Sequence, residues 1–248
     1  MRRLNNCLEN KKYTNIPIWF MRQAGRYLKE FRNIKKNNPN FINLCLNKKL
    51  VNEISLQPIK KFDLDAVILF SDILIIPYGL GQKVTFKKNI GPVLGDINLD
   101  LILNINKNDF INRIDSVYKS LNLLKNSMDY KNKSLIGFAG APWTLLLYMI
   151  HKQSPKKDFN KNKILNDKNL LNNLIIKLEN IICLHVDKQI EAGANVIQLF
   201  DTWAGLLSKD DLYKYCYSPT LKIVNYIKKK GIPIICFPRG IKKEDYKE

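Results

Sequence analysis

The stretch Leu135-Ile136-Gly137-Phe138-Ala139-Gly140-Ala141-Pro142-Trp143-Thr144 decides the fold class. Its first five residues carry no polar alternation, as expected of a strand covered on both faces. Four more runs share that character: Ile16–Met21, Ala66–Phe70, Val196–Phe200 and Ile232–Phe237. Helical periodicity fills the intervals, over 47–62, 109–128, 170–192 and 210–230. Pro219 marks a start or kink in the last of these, and Gly193 and Gly231 follow two helix ends. Residues 82–96 read as a hairpin inserted after the second strand. Strands alternating with helices, without repeats, predict one α/β domain with a parallel sheet.

Each predicted strand runs into polar, charged or glycine residues. The first meets Arg22-Gln23-Ala24-Gly25-Arg26, and the second Ser71-Asp72. The others meet Gly140–Thr144, Asp201-Thr202-Trp203-Ala204-Gly205 and Pro238-Arg239-Gly240. In parallel α/β folds the βα loops converge at that carboxyl end, so these residues are predicted to share one mouth.

Charge points elsewhere at first sight. The 248 residues hold 41 Lys+Arg against 22 Asp+Glu, a formal net charge of +19. Only seven of the cations are arginine, and Lys, Asn and Ile together make 94 residues, all with A/T-rich codons. A nucleic-acid surface would favour arginine's planar fork, and the lysines are scattered pairs. The charge therefore reads as compositional drift, with no nucleic-acid role, though it still attracts anionic small molecules. Five separated cysteines, without Cys-x-x-C or Cys/His ligand spacing, predict a reducing compartment and no metal site. The longest apolar stretch, 66–80, is interrupted by Ser71-Asp72 and Pro77, so no membrane span and a cytoplasmic location are expected.

Within the mouth, Arg22 and Arg26 flank Gln23, Ala24 and Gly25. They read either as ion-pair partners or as a bidentate clamp for carboxylates, with Gly25 allowing close backbone approach. Asp72 interrupts an apolar run, a costly placement unless it is paired or functional. Asp201 reads equally well as the cap of the next helix. Tyr148, one turn after Thr144, needs a hydroxyl partner if buried. His151 and His185 read as surface or packing residues.

Four blocks then become specific. Pro17–Leu28 (PIWFMRQAGRYL), Phe70–Leu74 within Leu64–Pro77, Gly137–Thr144 with Tyr148-Met149-Ile150, and Gln198–Ser208 (QLFDTWAGLLS) occur in order. Together they resemble the uroporphyrinogen decarboxylase family. The resemblance implies a TIM-type (β/α)8 barrel, a homodimer, and cofactor-independent removal of CO2 from the four acetate side chains of uroporphyrinogen III. It implies that Arg22 to Arg26 bind substrate carboxylates, that Asp72 accepts pyrrole N–H bonds, and that Tyr148 and Thr202 contact substrate. Lys29 departs from the family's proline, and His151-Lys152-Gln153 replaces an acidic, glycine-rich turn. Five strands where the barrel needs eight predict that residues 1–248 are one barrel domain with about its first five βα units. Two alternatives accompany this reading: an inactive remnant of the enzyme, and a basic nucleic-acid- or partner-binding protein.

Overall fold

A computed structural model describes residues 2–11, 15–22, 24–25, 27–127, 132–155 and 167–247. Its centre is a parallel sheet of four strands in the order β1-β4-β5-β6: Ala66–Ile68, Ser134–Gly140, Val196–Asp201 and Ile234–Pro238. Pairing is in register from Val67↔Leu135 through Ile136↔Val196 to Ile197↔Ile234. The strands are those read from the apolar runs, apart from their ends. All seven residues of β4 are buried, while β6 is half-buried.

The first expected strand is absent. Residues 16–21 carry no ladder; their backbone meets the sheet segment at one point, where Asp65 N–H donates to Ile18 O and Ile18 N–H to the Asp65 carboxylate, both at 2.8 Å. Pro17 lacks an N–H, and Ile16, Ile18 and Phe20 are exposed. The run is apolar but extended along a surface, and apolarity alone does not distinguish that from a buried strand. The described sheet thus has four strands rather than five, and Arg22 approaches from a turn outside it.

The helices follow their sequence signals. The 107–127 and 168–191 helices bury Phe110, Ile114, Leu121, Leu171 and Ile182 in the core around the sheet, while the 48–61 helix buries Ile54 in a separate cluster with Leu28, Phe31 and Leu44. Asparagine, so abundant here, is put to use at helix starts. Asn40, Asn47 and Asn98 each accept from the backbone N–H three residues on. Asn195 accepts from Leu135 N–H, and Asn5 donates to Asn195 O at 2.8 Å, tying the first helix, Arg3–Leu8, to the amino end of the sheet. The 209–228 stretch contains a π turn at Tyr213–Tyr217 just before Pro219, whose missing N–H forbids the regular ladder. The predicted hairpin is β2, Val84–Lys87, paired antiparallel with β3, Gly91–Leu94.

β1 ends after three residues, and this shapes the site. Beyond Leu69 the ladder position on β4 is taken by a side chain: Gln189 accepts from Phe138 N–H and donates to Phe138 O, each at 2.9 Å. Gly137 makes room for it, since a Cβ there would sit 2.7 Å from the Gln189 side-chain oxygen. Residues 70–74 are thereby released from the sheet, and Ser55 Oγ accepts the Phe70 N–H.

Candidate active site

A cavity of about 930 Å³ opens at the carboxyl end of the sheet. All four strands or their exits line it: Ile68 and 69–74 from β1, Phe138 from β4, Phe200 and Thr202 from β5, Phe237 and Arg239 from β6. A second wall is aromatic. Phe31, Phe41, Phe70 and Phe86 meet edge-on or tilted in a chain with ring centroids 4.5–5.9 Å apart, and the Lys35 ammonium lies 5.0 Å over Phe41. Phe86 and Pro92 bring the hairpin to the rim. Leu94 N–H donates to Lys152 O, and the Lys152 ammonium pairs with Asp96. Lys152 therefore closes the 142–151 helix at φ +65°, a left-handed position where the expected glycine would cost nothing.

Asp72 is the carboxylate in this wall. Its Oδ1 accepts from Leu74 N–H at 2.8 Å, inside the bend that follows β1. On its inner side Ile73, Ile76, Val117 and Phe138 close a small void that excludes solvent. Loss of hydration raises its pKa to about 6, against the lowering pull of the Leu74 N–H and of Arg22. Asp72 is thus mostly ionised at neutral pH, yet close to its midpoint. Arg22 is exposed and reaches the cavity, with Ala24 and Gly25 beside it. The expected residues Gln23 and Arg26 lie outside the described residues.

Tyr148 and Thr202 line the same cavity. The Tyr148 hydroxyl finds Ser154 Oγ at 3.3 Å, and its ring packs edge-on to Trp203. Asp201 is buried and points away. Its Oδ1 accepts from the Thr144 hydroxyl at 2.6 Å, and that same oxygen of Thr144 accepts from Trp203 N–H at 3.1 Å. Asp201 therefore caps no helix; it holds the turn that presents Thr202. Burial raises its pKa, with the Cys216 thiol and Thr144 pulling the other way. His185 is a packing residue: wholly buried, it bonds the Tyr118 hydroxyl at 3.0 Å, and desolvation lowers its pKa to about 3. Sequence reasoning did not single out Lys35, Phe31, Phe41 or Phe86, because nothing local marks distant aromatics that converge on one cavity.

The uroporphyrinogen decarboxylase family model matches residues 1–247. The chain belongs to that family. Among curated relatives, the uroporphyrinogen decarboxylase of Campylobacter jejuni serotype O:2 is 40% identical, over 91% of this chain and 67% of its own length. Those of Rickettsia canadensis and Rickettsia bellii are 38% and 41% identical, covering 97% and 94% of this chain and 71% and 68% of theirs. A methyltransferase from Methanosarcina mazei superposes with a TM-score of 0.72 at 16% identity, over 94% of this chain and 67% of that one, a likeness of fold alone. Membership in a family of carboxy-lyases that act in haem biosynthesis favours decarboxylation over the nucleic-acid-binding and remnant readings. No helix among the described residues is long and apolar enough to cross a membrane.

Proposed function

We propose that the cavity binds uroporphyrinogen III and removes CO2 from each of its four acetate side chains, yielding coproporphyrinogen III. The observation that carries this is Asp72: one carboxylate of near-neutral pKa, in the wall of a cavity that also carries Arg22, Lys35 and an aromatic face.

The chemistry asks for such a site. Breaking the bond between the side-chain methylene and its carboxylate releases CO2 and leaves an electron pair. A pyrrole protonated on the ring carbon beside the acetate accepts that pair. The methylene then takes a proton to become methyl, and the ring carbon returns its own, so each carboxylate lost consumes one proton. The species along this path is a pyrrole cation, and an anion fixed in a poorly hydrated wall stabilises it far better than one in water. Asp72 serves as that anion and accepts the pyrrole N–H groups. Arg22 and Arg26 hold substrate carboxylates or supply the proton, Gln23, Ala24 and Gly25 shape their loop, and Tyr148 and Thr202 orient the substrate from the β5 side. Every step in this scheme is carried by protein side chains and substrate, with no cofactor. The reading includes a (β/α)8 barrel as the architecture to which these βα units belong, a homodimer, and work in the cytoplasm. Family membership supports this reading.

The test is direct. Purified protein is incubated with chemically reduced uroporphyrinogen, and products are oxidised and separated by carboxylate number. Porphyrins with seven, six, five and four carboxylates should appear in succession. Unchanged octacarboxylate with folded protein would overturn the proposal.

A further inference from the structure

We infer that Arg239 is a further seat for a substrate carboxylate, on the β5–β6 side of the cavity, and a residue that sets substrate affinity. This rests on the decarboxylase reading above.

Arg239 follows β6 and lines the cavity together with Arg22 and Lys35. Its peptide unit is fixed from both sides: its N–H donates to Asp201 O and its carbonyl accepts from Gly205 N–H, each at 3.0 Å. Gly240 takes φ +81° against Gly205, where an added Cβ would lie 2.4 Å from the Gly240 carbonyl oxygen. The turn therefore has little room to shift. The guanidinium carbon lies 6.0 Å over the Trp203 ring. Trp203 is itself held by Thr144 and by the Trp143 indole N–H, which donates to Trp203 O at 3.0 Å.

Arg239 is exposed at the cavity, and the aromatic platform beneath its cation favours keeping the charge there. Among the described residues no carboxylate forms an ion pair with it, although several lysines are paired. A planar fork on the cavity wall, with no carboxylate paired to it among the described residues, matches a bidentate carboxylate. Uroporphyrinogen carries eight carboxylates, more than the Arg22–Arg26 loop can hold, so a second cationic wall fits it.

The test uses the purified chain and four proteins: wild type, R239Q, R239K and K119Q. Lys119 sits exposed on the 107–127 helix, paired with Asp115, and controls for loss of one charge. Binding of uroporphyrin is read by fluorescence quenching, and KM for uroporphyrinogen by product formation. R239Q should weaken binding and raise KM by about tenfold or more, and R239K by about threefold, since it keeps the charge but loses the fork. K119Q should stay within about twofold of wild type, as expected for an exposed charge. R239Q and K119Q behaving alike, or R239K matching wild type if R239Q does not fold, would overturn the seat. Should wild type bind porphyrin but release no CO2, while R239Q still weakens binding, the decarboxylase reading falls and the seat stands.

Discussion

Asp72 and Asp201 stand at equivalent places, each just past or at the carboxyl end of a parallel strand, and burial raises the pKa of both. Their surroundings differ. Asp201 is met by the Thr144 hydroxyl and the Cys216 thiol and does not line the cavity. Asp72 has one backbone N–H and a distant guanidinium, and its remaining acceptor sites face the cavity. A carboxylate tied to its own fold and kept off the cavity, as Asp201 is by Thr144, organises a turn; one with a single backbone donor in the cavity wall, as Asp72 has, is available to a ligand. The difference comes from strand length. β5 carries Asp201 within its ladder, whereas β1 stops after three residues and frees the bend that carries Asp72.

The strongest way to break this contrast is Asp72→Asn. It keeps the acceptor for Leu74 N–H but removes the charge, and kcat should fall about 10²–10³-fold. A fall below about tenfold would remove Asp72 from the chemistry. The same variant should unfold at higher temperature at pH 7. A folded pKa of about 6, above the ordinary 3.8, means the native state loses stability as pH rises from about 4 through 6. Asn escapes that penalty, by about 3 kcal/mol well above pH 6 and by almost nothing below pH 4. Chemical denaturation at pH 4 and pH 7 checks both signs.

Asp201 should behave oppositely. Thr144→Val strips a donor from the buried Asp201 carboxylate and an acceptor from Trp203 N–H, so it should destabilise by about 1–3 kcal/mol at pH 7. An unchanged denaturation midpoint would show that the Asp201 network does not organise the turn. A smaller effect lies in the pH profile. If the ionised Asp72 is the active form, kcat/KM should rise with pH through a limb near 6. Arg22 favours the ionised form, so Arg22→Gln should move the limb upward by up to about one unit. A downward shift would refute that electrostatic link. Smallest of all is Lys152→Gly, which relieves a left-handed backbone but loses an exposed ion pair; stability should change by less than about 1 kcal/mol.

Much of this site was legible in the chain. Asp72 stood out because a charge within an apolar run has to be explained, and the turns after β4 and β5 were visible as glycine, proline and polar clusters. The segment at 16–21 misled, since an extended surface stretch with Pro17 and three outward apolar side chains has the same composition as a buried strand. Arg239 carried no local signal beyond its place after a strand; its meaning depends on Trp203, 36 positions earlier, being held beneath it.

By itself, then, the sequence determined the class of fold, four of the strand positions and the polar and glycine turns that follow them, because hydrophobic period and turn chemistry are local properties. Tertiary structure alone decided which of two similar aspartates faces the cavity, where β1 stops, and which aromatics and cations gather around the opening. Those outcomes depend on side chains far apart in the chain, such as Gln189 replacing a missing strand neighbour on β4, and no short window of sequence contains both partners.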